Sequence, residues 1–329
     1  MGGDHAPAVV VEGAVAAARE LGVEIVLVGR GEEVKAELAK HNTTSLSLPI
    51  VHAEEVVSMD EHASAALRQK QRSSIAVGIN LVREGLASAF VSAGNSGAVM
   101  AGALFGLGRI EGIERPAIGT VYPTTTGKCF VLDIGANADC KTEYLVQFAI
   151  MGSAYMERVF GVANPRVGLL SNGEEESKGN SLVQSAYPLL KELPVNFIGN
   201  VEGKDIPLGM ADVVVCDGFC GNVVIKLSEG VGSALFEILK AELTADFVSK
   251  LAALVLKPAF RRAKKRLDYA EYGGAPLLGV NGVVIIAHGR SNAVAIKNAV
   301  RVARQAVDQR LVEAIASGVG SATRASGSR

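Results

Sequence analysis

Short runs of apolar, mostly β-branched residues alternate along this chain with longer stretches whose apolar positions recur at helical spacing. Residues 14–21 read as a helix stopped by Gly22, residues 23–28 (VEIVLV) as a buried strand, and residues 32–40 as the next helix. The cycle repeats through strand-like runs at 89–92, 130–134, 167–170, 213–216 and 283–287, each closed by a turn rich in Gly, Asn or Ser. The runs lack strict alternation, so both strand faces are covered. This predicts a mainly parallel sheet between two helical layers, a three-layer α/β/α, Rossmann-like α/β fold. In such sheets ligands gather at the carboxyl ends of the strands, which is where this chain concentrates its glycines.

Two segments break the rhythm. Residues 233–270 are helical in pattern with no intervening strand and are interrupted by Pro258, which predicts a projecting helical hairpin. From Ser317 apolar periodicity stops, so residues 317–329 are expected to be a disordered tail behind a single domain of residues 1–316. No internal repeat is visible. A doubly wound domain normally opens with a strand, yet a helix follows MGGDHAPA almost at once. The expectation is a sheet that begins late, or a chain read from downstream of its first strand.

Composition narrows the function. Of 329 residues, 49% are hydrophobic and 20% charged, enough for a large core. A net charge of −1 argues against a globally basic nucleic-acid binder. No run approaches the roughly 18 apolar residues of a membrane span. The amino terminus carries Asp4 and has no apolar core of a signal peptide. Cys129, Cys140, Cys216 and Cys220 sit in or beside apolar runs and are expected to be reduced thiols in a cytoplasmic protein. Cys216 and Cys220 lack a second Cys or His pair for zinc.

Five strand-end loops hold the candidate chemistry. Residues 92–98 (SAGNSGA) place Asn95 and Ser96 at a helix start, where amides attract an anion or Ser96 simply caps a turn. In residues 133–139 (DIGANAD), Asp133 and Asn137 can orient a polar ligand or stabilise an Asx turn, and two carboxylates without His make poor metal evidence. Residues 171–180 (SNGEEESKGN) carry Asn172, Lys178 and Asn180. The three glutamates read as an acidic helix start, with Lys178 as an anion partner or a surface charge. Asp217 and Asn222 flank the next strand–helix turn. His288 follows the last strand, as a general acid, an oxyanion donor or a packed residue. There is no GxSxG elbow, no P-loop and no complete GxGxxG; Gly29-Arg30-Gly31 stops short. The hairpin contributes Lys250, Lys257, Arg261, Arg262, Lys264, Lys265 and Arg266 without one acid between 250 and 266. That stretch suits an anionic membrane or an acidic protein, or else forms the solvated flank of a dimer-forming helix pair.

The blocks MGGDHAP, SAGNSGA, LDIGANADC, QFAIMGSAY, RVGLLSNGEEESKGN, FIGNVEG, DVVVCDGFCGN, YGGAPLLGVNG and HGRS occur together and in this order. In them the chain resembles, from residue 1 to about 310, the bacterial phosphate acyltransferases that make acyl phosphate from acyl-acyl carrier protein. The resemblance implies the α/β/α fold of phosphate acetyltransferases and isocitrate/isopropylmalate dehydrogenase-like enzymes, working as a homodimer without cofactor or metal. It implies acyl transfer from acyl carrier protein to inorganic phosphate, peripheral membrane association, and a membrane glycerol-3-phosphate acyltransferase as the downstream consumer. It also implies a short apolar strand ahead of MGGD. On this reading Lys178 binds phosphate with Asn172, Asn180, Asn95 and Ser96. His288 or Asn222 donates to the oxyanion or assists the departing thiolate, and Asp133, Asn137 and Asp217 orient them. Lys257, Arg261, Arg262, Lys264, Lys265 and Arg266 are the docking face for carrier protein or membrane. Competing readings are a metal-dependent dehydrogenase on a related fold, a phosphate acetyltransferase-like enzyme using acyl-CoA, and a non-catalytic membrane scaffold.

Overall fold

The computed structural model describes residues 1–267 and 271–327, with the side chains of 64, 264–267 and 323–327 outside the described set. The chain opens with α1 (Ala8–Leu21), ended by Gly22 at φ 65°, the left-handed cap that glycine allows without strain. Then come β1 (Leu27–Gly29), α2 (Gly31–Leu38), β2 (Ile50–His52), α3 (Ala63–Gln69), α4 (Ser74–Arg83), β3 (Ala89–Ser92) and α5 (Ser96–Gly106). The middle of the chain supplies β4 (Ala117–Pro123), β5 (Lys128–Leu132), α6 (Thr142–Phe160), β6 (Arg166–Leu170), α7 (Ser181–Lys191), β7 (Asn196–Val201) and β8 (Val213–Val215). Last are α8 (Gly218–Leu243), α9 (Phe247–Leu267), β9 (Ala275–Leu278), β10 (Val283–Ile286), α10 (Ala293–Asp308) and α11 (Leu311–Gly327).

Among the described residues, eight strands form the main sheet in the order β3-β10-β9-β4-β5-β8-β6-β7. One layer of helices brings α6, α10 and α11 onto Phe130, Leu132, Leu169 and Ile285. The opposite layer has two parts: Ile79, Val99 and Ala103 of α4 and α5 pack on Val284 and Ile286, while the start of α8 packs on Val131 and Val214. Packing is tight enough that Phe130 occupies the place of a Cβ at Gly119, so that position requires glycine.

The junctions β3–β10, β5–β8, β6–β8 and β6–β7 are parallel, as the apolar runs implied. Those of β9 with β10, β4 with β9 and β4 with β5 are antiparallel. Tracing directions through β9 and β4 shows that β3 and β10 run opposite to β5, β8, β6 and β7. Their carboxyl ends therefore lie at opposite ends of the sheet. One shared crevice for all five loops, as the strand-end motifs suggested, is not what forms.

Three further expectations are corrected. The segment expected as a strand over 23–28 is regular only at Leu27–Gly29, which pairs with β2 in a separate two-stranded sheet. Between residues 22–28 and the open edge of β3 lies a cavity of about 590 Å³, lined by side chains of α1, α4 and α10. The expected tail is largely helical: α11 extends to Gly327, with Val319 buried and Gly318 so close to α6 that a Cβ would come within 2.8 Å of Ile150. Small residues that erase periodicity are what permit that approach. The hairpin begins earlier than residue 233, because α8 starts at the β8 turn and runs 26 residues, about 39 Å. Pro258 lies inside α9 without ending it.

Candidate functional site

At the carboxyl ends of β5 and β8 the chain builds a closed polar hub around Asp133, which is 0% exposed. One carboxylate oxygen accepts from the amides of Ile118, Gly135 and Ala136 at 3.0–3.2 Å. The other accepts from the backbone and side-chain amides of Asn137 at 2.7 and 3.0 Å. Burial pushes the Asp133 carboxyl above its ordinary range, against the pull of these donors. Asp217 caps α8 by accepting from Cys220 N at 2.8 Å, and Asn222 donates its side-chain amide to Ile134 O at 3.0 Å. A Cβ at Gly221 would overlap Asp133 O, so glycine alone lets α8 start this close. Asp133 and Asn137 thus hold the loop and the helix start in place. Burial pushes the Cys140 thiol up to about 12 and that of Cys220 to about 11, which leaves neither as a ready nucleophile.

Residues 171–180 stand at the same end of the sheet, beyond β8. They form turns, and α7 starts only at Ser181, so the glutamates do not head a helix as expected. Asn172 accepts from Gly179 N at 2.9 Å, and Asn180 caps α7 through Val183 N at 3.0 Å. Both carbonyl oxygens are spent on the loop itself. Lys178 is exposed, with its stem against Gly173. Glu174, Glu175 and Glu176 share its turn, and the oxygens of Glu174, Glu202 and Asp205 lie within 4.8 Å of one another. Glu176 pairs with Lys191 at 3.8 Å and Glu202 with Lys204, which leaves Glu174, Glu175 and Asp205 as the acidic neighbours a phosphate dianion on Lys178 would meet.

At the other end, Asn95 is 7% exposed and fully engaged. Its amide donates to the carbonyls of Ser58, Met59 and Glu61 at 3.0–3.2 Å, and its oxygen accepts from Ala98 N at 3.0 Å. It fastens the 58–61 loop over the start of α5, and Ser96 beside it is exposed. His288 follows β10, and its Nδ1 accepts from Arg290 N at 3.3 Å, which leaves the neutral ring's proton on Nε2. Burial and the Arg290 charge lower its pKa, while Glu229 and Asp4 raise it. Asp4 is tied to this loop through its amide on Gly289 O at 3.0 Å.

One element spans both ends. α8 starts at the Asp133 hub and runs back along the sheet until Glu229 meets Arg290 at 3.5 Å. Asn222, Lys226 and Glu229 form a polar strip at i, i+4 and i+7. The exposed apolar side chains Phe219, Val223, Leu227 and Val231 form a neighbouring stripe. Of the expected site residues, the structure brings Asp133, Asn137, Asp217 and Asn222 into one hub and sets His288 across α8 from it. Lys226, Glu229 and Arg290 were not singled out. The signal was the polar spacing along the helix that follows the Asp217 turn.

The hairpin leaves α9 broadly uncovered, Phe247 being 81% exposed and Val255 75%. Lys257, Arg261 and Arg262 are exposed on it, while the side chains of Lys264, Lys265 and Arg266 lie outside the described residues. Among the described residues no helix is long and apolar enough to cross a membrane.

Residues 1–314 match the sequence profile of a family described as fatty acid synthesis protein. The phosphate acyltransferase of Pelotomaculum thermopropionicum is 54% identical over 319 residues, 97% of this chain and 93% of that protein. That of Geobacter sulfurreducens is 56% identical over 95% of this chain and 92% of its own length. Among solved structures, a phosphotransacetylase from Streptococcus pyogenes superposes with a TM-score of 0.64 at 18% identity, covering 90% of this chain and 91% of its own. A 4-hydroxythreonine-4-phosphate dehydrogenase from Klebsiella pneumoniae gives 0.52 at 14%, covering 90% and 95%. These two establish the fold alone.

Proposed function

The chain belongs to the fatty acid synthesis protein family of phosphate acyltransferases, and from that premise we propose that it moves a fatty acyl group from acyl carrier protein to inorganic phosphate, releasing acyl phosphate. Hydrogenphosphate is already a nucleophile. Its oxygen attacks the thioester carbon, the carbon–sulfur bond breaks, and the hydrogenphosphate proton ends on the carrier's sulfur. No protein side chain needs to be acylated, and the raised thiol pKa values of Cys140 and Cys220 agree with that economy. The protein's task is alignment and stabilisation of the tetrahedral oxyanion. A neutral His288, with its proton on Nε2, is suited to donate to that oxyanion, while Asn222, whose amide is given to Ile134 O, sets how α8 faces the His288 loop.

The observation that carries this reading is the match over residues 1–314 with an acyltransferase family, on a chain whose strand-end loops offer donors rather than an activated Ser or Cys. The exposed stripes of α8 and α9 support a homodimer through the hairpin. The basic flank at Lys257, Arg261 and Arg262 supports docking of an acidic carrier protein or an anionic membrane surface. The acyl phosphate would then pass to a membrane glycerol-3-phosphate acyltransferase. The test is purified protein with acyl-acyl carrier protein and phosphate, trapping acyl phosphate as the hydroxamate. Phosphate-dependent hydroxamate is expected. None above the phosphate-free control, with that donor or with acyl-CoA, overturns the reaction, and product from acyl-CoA alone replaces the donor.

A further inference from the structure

We propose that Lys226 is the cation that binds the phosphate nucleophile, in the space between α8 and the carboxyl end of β10; the proposal rests on the phosphate acyltransferase reading and names its phosphate anchor. Two contacts set how α8 is rotated. Asn222 donates to Ile134 O at 3.0 Å, and Glu229 pairs with Arg290 at 3.5 Å. Lys226 lies on the same strip between them, about 6 Å along the axis from Asn222 and about 4.5 Å from Glu229. Its place on the helix therefore lies between the residue fixed at the Asp133 hub and the residue paired with the His288 loop.

Charge accounting singles it out. Glu229 and Arg290 are committed to each other. Among the described residues Lys226 is exposed and makes no ion pair or side-chain hydrogen bond, and it is not adjacent to an acid in sequence. It is therefore the cation of the strip left available for an anion. It is close enough to His288 for its charge to help lower that ring's pKa, so an anion on Lys226 would sit within reach of the group assigned to the oxyanion. Lys178, by contrast, shares its turn with three glutamates. The stripe Phe219, Val223 and Leu227 runs beside the strip, an apolar path for the acyl chain of the same substrate.

The test uses the full chain, with inorganic phosphate as probe, in two readouts. Initial rates of acyl phosphate formation give the phosphate KM, and thermal melts with and without phosphate give a binding shift independent of turnover. Lys226→Ala is expected to raise the phosphate KM by about tenfold or more and to abolish the phosphate-dependent rise in Tm, with Lys226→Arg retaining part of both. A phosphate KM within twofold of the unaltered protein, or an undiminished Tm rise, in Lys226→Ala overturns the assignment. If the unaltered protein forms no acyl phosphate, the reaction reading falls, while the melts still decide whether Lys226 binds phosphate.

Discussion

The two ends of the sheet are both lined with Asn, Asp and Gly, but they spend those groups differently. At the β5–β8 end, Asp133 accepts five hydrogen bonds inside the protein, and the carbonyls of Asn172 and Asn180 close their own loop. At the β10 end, the exposed side chains of His288 and Arg290 stand opposite Lys226 and Glu229 of α8. A polar residue in a strand-end turn is therefore not evidence of a ligand until its hydrogen bonds have been accounted for. Loops of nearly the same composition turn their hydrogen bonds inward at one end and present exposed charged side chains to α8 at the other.

Substitutions should separate the two. Asp133→Ala strands the amides of Ile118, Gly135, Ala136 and Asn137 in the interior and should cost about 3–5 kcal/mol in urea unfolding. A loss below about 1 kcal/mol would break the view of that end as scaffold. Asn95→Ala removes a helix cap and three carbonyl contacts and should cost about 2 kcal/mol, read in the same way, with the phosphate KM little changed. Arg290→Ala should lower stability by less than about 1 kcal/mol, because its ion pair with Glu229 is half exposed, yet should reduce kcat/KM. Lys178→Ala should shift the phosphate KM less than about twofold, within the small effect of an exposed charge. The smallest effect is the pH term of His288. Its folded pKa lies below the ordinary 6.5, so as pH falls through that window the unfolded chain binds the proton first and stability declines. His288→Asn should flatten that part of the stability profile, and a steeper acid limb in the variant would contradict the sign.

Much of the framework could be read from local pattern. Residues 89–92 coincide with β3, and the runs at 167–170, 213–216 and 283–287 each fall within a residue or so of a strand, because buried β-branched stretches resemble little else. β4 and β9 were not foreseen. The first contains Gly119 and ends at Pro123, and the second carries Pro276, all weak strand formers. Missing those two strands also hid the reversal of direction they impose, since direction is a property of pairing and not of any one segment. That is why five loops were read as one site. Asp133, Asn137, Asp217 and Asn222 do converge as their strand–turn–helix positions suggested. Lys226 escaped notice because a lysine in an amphipathic helix looks like an ordinary solvated charge until its neighbours across the sheet are known.

The central claim is that phosphate itself attacks the thioester. Intact-mass measurement of the protein after incubation with acyl-acyl carrier protein, with phosphate withheld and then added, tests it most directly. The expected result is no acylated protein at any time and acyl phosphate only after phosphate is added. A stoichiometric acyl adduct that forms without phosphate and disappears on its addition would contradict the account.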